Sequence, residues 1–109
     1  MLQEVNEREL KKTIADSSHV IAFFHTPFCG TCKLAGHMIE SALQTMSLHG
    51  DAVSCNLNMM PAMAETYEIT SVPCLMLFEQ GKVKDRIYAF RSAACLKNTF
   101  IMQGFVKNR

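Results

Sequence analysis

Two uninterrupted apolar segments, residues 20–24 and 74–78, constrain the fold of this chain more than any other feature of its sequence. Each has the length of a β-strand, and neither contains a polar side chain that would face water. A strand of this kind must be covered on both faces, which is typical of the middle of a parallel or mixed sheet between layers of helices. The sequence therefore predicts an α/β fold.

Helix and strand signals alternate along the rest of the chain. Asn6 with Glu9 three positions later is the pattern of a helix start, and Leu10 and Ile14 of that helix would face the core. Ser92 would cap a last helix that turns three apolar side chains inward: Leu96, Phe100 and Ile101. Strands are expected at residues 2–5, 20–24, 52–57, 74–78 and 83–90, and further helices at 29–49 and 61–67, in the order β-α-β-α-β-α-β-β-α.

Size and charge argue against several classes of protein. A chain of 109 residues fits one domain, residues 1–109, and we expect it to act as a monomer. Its 11 Lys and Arg against 10 Asp and Glu give a net charge of +1, too balanced for a nucleic-acid-binding surface. The apolar segments are far shorter than the roughly 20 residues that span a bilayer. Since residues 1–12 are charged and unlike a secretory signal, we expect a cytoplasmic protein with neither nucleic acid nor membrane as a partner.

Five cysteines is an odd number, and only Cys29 and Cys32 are close in sequence, which argues against a framework of structural disulfides. This pair lies where a buried strand gives way to a helix. Two thiols in a first helical turn are close enough to form a disulfide. Free backbone N–H groups and the positive end of the helix dipole would stabilise a thiolate on Cys29, so Cys29 is the predicted nucleophile and Cys32 the resolving thiol.

Several further motifs accompany the dithiol. They are FFHTPFCGTCK at residues 23–33, NLN at 56–58 with Pro61, Val72-Pro73 before the strand at 74–78, and Gly81-Lys82. In their order and spacing the sequence resembles the thioredoxin family over nearly its whole length. The resemblance implies the thioredoxin fold, a three-layer α/β/α sandwich with a central mixed β-sheet. It also implies that Pro73 has a cis peptide bond against the dithiol and that the backbone of Val72 pairs with an extended substrate segment.

The sequence departs from this family at positions that matter for the mechanism. Phe23 stands where thioredoxins usually have a buried Asp behind the second cysteine, and Ser54 replaces the Lys that often pairs with it. The base that assists catalysis is therefore absent or has moved. His25 stands where the family often has Trp, and its imidazole could hold a thiolate or move protons because this side chain changes charge near neutral pH. Thr31 and His37 replace two further prolines.

The resemblance implies a thiol-disulfide oxidoreductase that reduces or exchanges protein disulfides without a bound cofactor. Its partners would be disulfide-containing proteins and, as electron donor, a reductase or a low-molecular-weight thiol. The predicted catalytic residues are Cys29, Cys32 and Pro73, the predicted substrate contacts are Phe28, Gly30, Thr31 and Val72, and His25 is the candidate for proton transfer.

Two other interpretations remain open. The chain could be a non-enzymatic interaction module that has lost efficient turnover with the buried Asp. It could also ligate a metal or cluster through Cys29, Cys32 and either nearby histidines or Cys74, although a zinc site would want two more well-spaced ligands and we expect no metal. Cys74 is expected to lie near the dithiol as a small buried side chain. Cys55 and Cys95 should have no chemistry, and His19 and His49 should be solvated.

Overall fold

The computed structural model describes residues 2–109. Its strands are β1 (Gln3–Glu4), β2 (His19–His25), β3 (Met46–Leu48), β4 (Asp51–Asn56), β5 (Cys74–Glu79), β6 (Lys82–Ile87) and β7 (Val106–Asn108). Its helices are α1 (Glu7–Asp16), α2 (Gly30–Leu43), α3 (Pro61–Thr66) and α4 (Ala93–Met102), with one 3-10 turn at Leu57–Met59.

The two apolar segments lie side by side at the centre of a mixed five-stranded sheet. The strand order is β1-β4-β2-β5-β6. Strands β1, β4 and β2 are parallel, whereas β5 pairs antiparallel with both β2 and β6. All residues from Val20 to Phe24 and from Cys74 to Phe78 are buried, as the apolar pattern predicts.

Alternate residues of the central strands enter two separate cores. Ile21, Phe23 and Leu75 pack with residues of α2 and α4 on one face. Phe24 and Met76 pack with residues of α1 and α3 on the other face. This arrangement is the predicted three-layer α/β/α sandwich, and it assigns each side chain of β2 and β5 to one layer or the other.

The predicted start signals of the helices α1, α3 and α4 are confirmed. Asn6 accepts a hydrogen bond from the backbone N–H of Glu9, and the Glu9 carboxylate accepts one from the N–H of Asn6, which forms a capping box. Ser92 caps α4 by accepting from the N–H of Cys95. Pro61 opens α3, where its missing N–H costs no helical hydrogen bond.

The predicted end of the long helix is wrong. The helix stops at Leu43 instead of continuing to residue 49, and Met46–Leu48 forms the strand β3, which pairs antiparallel with β7 at the end of the chain. Met46 is buried, so its helix-like spacing from Leu43 arises because both side chains enter the same core, and not because the helix continues. This second sheet adds two strands to the predicted order.

Two smaller expectations about the C-terminal half are also wrong. Strand β6 ends at Ile87, short of residue 90. Ile101 is 37% exposed, while Leu96 and Phe100 of the same helix are buried. Helical geometry explains the difference, because adjacent residues point about 100° apart and Phe100 already takes the inward direction.

Gly50, between β3 and β4, lets two backbone segments approach closely. A Cβ atom at this position would overlap the carbonyl oxygen of His19. We predict that Gly50→Ala lowers the free energy of unfolding by about 1–3 kcal/mol, because forced overpacking costs this much. Denaturant unfolding measures the loss. Gly30→Ala is the matched control, since no atom lies within 4 Å of its Cβ position; equal stability of both variants would contradict the prediction.

Candidate functional site

The structure joins Cys29 and Cys32 in a disulfide at the start of α2, with their Cα atoms 5.2 Å apart. Cys29 is the N-cap residue of α2, and Cys32 lies in its first turn. The chain reaches this point from β2 through a turn at Pro27 and Phe28, where Phe28 has a positive φ of 61°. Proline and this backbone conformation both end the strand, so the dithiol lies at the strand-to-helix junction that the sequence predicts.

Cys29 and Cys32 differ in exposure and in hydrogen bonding. Cys29 is half-buried, whereas Cys32 is only 4% exposed and packs in the core beneath α2. The Cys29 sulfur accepts a hydrogen bond from the Cys32 backbone N–H at 3.2 Å and lies 3.4 Å from Thr31 Oγ1. In a reduced protein the same N–H and the helix dipole favour negative charge on Cys29. The arrangement therefore presents one sulfur to solvent and keeps the other inside.

The peptide bond between Val72 and Pro73 is cis, and β5 begins at the next residue. Cys74 is in register with Phe24 near the end of β2, so the start of β5 lies beside the strand that leads to the dithiol. Val72 packs against the core cluster that contains Cys32. Pro73 and Thr31 line a common groove of about 310 Å³.

The remaining predicted contact residues surround the exposed sulfur. Phe28 is fully exposed although it is a large apolar side chain, and Gly30 and Thr31 are exposed beside it. The structure thus brings Phe28, Gly30, Thr31, Val72 and Pro73 to one end of the sheet together with the dithiol.

A cleft of about 380 Å³ opens on the other side of the two cysteines, and Phe23 and His25 line it with Ser54. Phe23 is buried, and its ring lies 3.4 Å from the position that a Cβ of Gly36 would occupy, so Gly36 permits the close packing of α2 on this ring. An aromatic side chain therefore fills the position behind Cys32 where the family usually has a carboxylate.

The cleft also holds Glu4, a residue that the sequence analysis did not single out. Its Oε1 atom lies 3.8 Å from His25 Nε2. Glu4 pairs in register with Ser54, which in turn pairs with Phe23, so three strands align these side chains in one row. Sequence reasoning could have found Glu4 only from the register of β1, which two residues are too few to indicate.

The three remaining cysteines differ in burial. Cys74 is buried in the core layer of α1 and α3, on the opposite face of the sheet from Cys32, and Cys55 is in the same layer. Burial raises the pKa of Cys55 from 9.0 to about 12, and the charge of Glu4 adds to this increase. Burial likewise raises the pKa of Cys74, partly opposed by a hydrogen bond with Tyr88 and by the charge of Arg86. These two thiols behave as buried apolar side chains, whereas Cys95 is exposed on α4.

Neither a metal centre nor a membrane span emerges from residues 2–109. Within this part of the chain no three His, Cys, Asp or Glu side chains are grouped so that they could hold a metal ion. No helix in the same residues is both long and apolar enough to cross a bilayer. His49 is exposed as expected, but His19 is half-buried with its ring centroid 4.9 Å from that of Phe105, so the expectation of a solvated His19 is wrong. The second sheet explains this, because it brings Phe105 next to β2.

Comparison with known proteins agrees with this geometry. The family model for thioredoxin matches residues 1–101. The chain is 39% identical over 98 residues to the thioredoxin-like protein YusE of Bacillus subtilis, covering 87% of both chains. It is 29% identical over 96 residues to thioredoxin 1 of Synechococcus elongatus, covering 87% of this chain and 90% of the other.

Solved structures share the fold at lower identity. A thioredoxin mutant from Halobacterium salinarum superposes with a TM-score of 0.77 at 20% identity, covering 99% of this chain and 92% of the other. Oxidised thioredoxin from Plasmodium falciparum gives a TM-score of 0.79 at 20% identity, covering 94% and 98%.

A CxxC pair at disulfide distance on the thioredoxin fold defines a thiol-disulfide oxidoreductase. With the match of the family model and of its relatives, the chain belongs to the thioredoxin family. Proteins of this family act on disulfide substrates.

The raised pKa of Cys55 predicts a loss of stability in alkaline solution. Because the folded-state pKa lies above the unfolded one, the stabilisation is complete below about pH 9 and is lost as the pH rises toward about 12. In the oxidised protein, where Cys29 and Cys32 do not titrate, Cys55→Ala should make the decline shallower by about 1.4 kcal/mol per pH unit. Urea unfolding between about pH 8 and 10.5 measures this. The control Cys95→Ala should retain the parent slope, and identical slopes for both variants would contradict the prediction.

Proposed function

We propose that this protein reduces disulfides of other proteins with Cys29 as the nucleophile and Cys32 as the resolving thiol. The observation that carries the proposal is the position of the Cys29 sulfur at the N-cap of α2, where it is accessible and accepts a hydrogen bond from the Cys32 backbone N–H. A thiolate is the reactive form of cysteine, and this position favours it. Because Cys32 is buried, a large partner reaches the Cys29 sulfur first.

The proposed reaction has two exchange steps. The Cys29 thiolate attacks one sulfur of the substrate disulfide, the substrate S–S bond breaks, and the released sulfur leaves as a thiolate that takes up a proton. Cys32 then loses its proton and attacks the Cys29 sulfur. The mixed disulfide breaks, the second substrate sulfur leaves with its electron pair, and the Cys29–Cys32 disulfide forms. Two electrons pass from the dithiol to the substrate.

We assign substrate binding to the residues around the exposed sulfur. An extended substrate segment would pair with the backbone of Val72, which precedes the cis bond to Pro73 and packs against the core cluster that contains Cys32. Gly30 and Thr31 leave the approach to Cys29 open, and Phe28 offers an apolar surface to the partner. Pro73 has a catalytic role in this assignment because it lines a groove with Thr31, which lies between the two cysteines in sequence, and His25 is the imidazole in the cleft that both cysteines line.

We propose that the oxidised protein is reduced by thioredoxin reductase or by a low-molecular-weight thiol. Its relatives include bacterial thioredoxins, and its balanced net charge of +1 suits many different protein partners. We further propose that residues 1–109 act as a single monomeric domain in the cytoplasm, where thiols are kept reduced.

A specific observation favours one alternative, a binding module with slow turnover. The apolar Phe23 fills the position behind Cys32, so the second exchange step lacks the usual acid-base group. A reversible Cys29–Cys32 disulfide combined with a negligible rate in a reductase-coupled assay would favour the module. Sustained turnover would favour the enzyme.

Substitution of the two cysteines tests their roles. Cys32→Ser should accumulate mixed disulfides with protein partners through Cys29, because the second exchange step is blocked, and Cys29→Ser should form none at this site. Non-reducing gels and mass spectrometry of the linked peptides read out the trapped species, and insulin reduction measures activity. If both variants reduced insulin as fast as the parent, the assignment would be refuted.

Phe28 should matter for protein substrates and not for small ones. Phe28→Ala removes apolar area that only a protein partner covers, so we expect insulin reduction to slow roughly three- to tenfold while the reaction with a small aromatic disulfide is nearly unchanged. Steady-state rates with the two substrates measure the difference. Met102→Ala removes another exposed apolar side chain, from α4, and serves as the control. Equal slowing with both substrates would argue against a docking role for Phe28.

A further inference from the structure

The second exchange step requires a proton acceptor for Cys32. Cys32 is 4% exposed, and burial disfavours the charged form of a thiol, so its proton does not leave readily without help. Phe23 packs in the same buried cluster as Cys32, and its ring can accept no proton. The candidates for an acceptor among the side chains are therefore those of the cleft that Cys32 lines.

His25 and Glu4 form the pair of proton-binding groups on the sheet side of this cleft. His25 lies two residues after Phe23 on β2, so its side chain leaves the sheet on the same face, and the two ring centroids are 5.6 Å apart. Glu4 reaches the same cleft from the edge strand β1, with its Oε1 atom 3.8 Å from His25 Nε2. The His25 side chain is 21% exposed, whereas that of Glu4 is 66% exposed.

This geometry assigns an electrostatic role to Glu4. A carboxylate that closes the 3.8 Å gap to Nε2 into a hydrogen bond would select the tautomer that carries its hydrogen on that atom, which leaves the lone pair of Nδ1 as an acceptor. Once the ring has taken a proton, the two groups carry opposite charges 3.8 Å apart. Because Glu4 acts through His25 and not on the sulfurs, it is a positioning residue.

We propose that Glu4 and His25 together are the proton acceptor for Cys32 in this chain, at a place different from the buried Asp position occupied by Phe23. This inference rests on the proposed function, because it concerns the resolving step. The Cys32 proton passes to the imidazole of His25, directly or through one water molecule in the cleft. The Cys32 thiolate attacks the Cys29 sulfur, the mixed disulfide breaks, and the leaving substrate thiolate takes a proton from the imidazolium.

Other charged groups face the same cleft, and all of them lie on α2. They are Lys33, His37 and Glu40, while Ser54 on β4 contributes a neutral hydroxyl. Lys33 and His37 are exposed, and Glu40 is half-buried. None of these three makes an ion pair within residues 2–109, whereas Glu4 and His25 do. His37 and Glu40 therefore provide matched controls, one imidazole and one carboxylate at the same cleft.

The test separates the two exchange steps in a single turnover. In a Cys95→Ser background, the reduced protein reacts with one equivalent of the chromogenic disulfide DTNB. The first aromatic thiol is released when Cys29 attacks, at a rate that depends on concentration. The second is released when Cys32 resolves the mixed disulfide, at a rate independent of concentration. Stopped-flow absorbance follows both phases as a function of pH.

Near neutral pH, His25→Asn should slow the second phase at least tenfold, since a general base commonly contributes a hundredfold or more. Glu4→Gln should slow it about threefold to tenfold, and more than it slows the first phase, because a nearby charge contributes less than the base itself. Above about pH 9.5 the difference between the variants and the parent should shrink as the pH rises, because hydroxide increasingly removes the Cys32 proton without a general base. His37→Asn and Glu40→Gln should follow the parent at every pH.

Four results would overturn the inference. The first is an unchanged second phase in His25→Asn and Glu4→Gln, and the second is equal slowing of these variants at all pH values, which would indicate a structural effect. The third is slowing by His37→Asn or Glu40→Gln as large as that by the proposed pair. The fourth is a parent protein without a second phase. Only the last also refutes the proposed function, since Cys32 would then not resolve the mixed disulfide at all.

Discussion

Burial of both faces of β2 is the constraint on which the rest of the molecule depends. The strand lies between β4 and β5, and its alternate side chains anchor the helices of both outer layers. Its final residues lead directly into the turn at Pro27 and Phe28, which delivers Cys29 to the start of α2. The register of Phe24 with Cys74 fixes where β5 begins, and therefore where Pro73 lies relative to the dithiol. Packing in the middle of the sheet thus determines the geometry at its end.

Most of the fold could be predicted because its signals are local. The apolar segments, the capping box at Asn6, the Ser92 cap and Pro61 each determine the structure of their own neighbourhood. The pairing of β3 with β7 could not be predicted in this way, since it joins two three-residue strands about sixty positions apart. Neither strand is long enough to show the period-two alternation that indicates a strand.

The site, like the fold, has features that the sequence predicts and others that it does not. A strand-to-helix junction and a Val-Pro dipeptide can be read from the sequence with the family resemblance, and the structure gives Cys29, Cys32 and Pro73 the predicted local geometry. To predict the face of the sheet to which a side chain points, one must know the register of all the strands. For this reason Cys74, which directly follows Pro73, faces away from the cysteine pair, and Glu4 faces His25 without any sequence signal.

The separation of the thiols into two layers affects which of them can take part in disulfide exchange. Each catalytic cycle leaves an oxidised pair above the sheet, while Cys55 and Cys74 lie below it with raised pKa values. Disulfide exchange needs a thiolate within bonding distance. With raised pKa values and the sheet between them and Cys32, these two interior thiols are poor partners for disulfide exchange with the active-site pair.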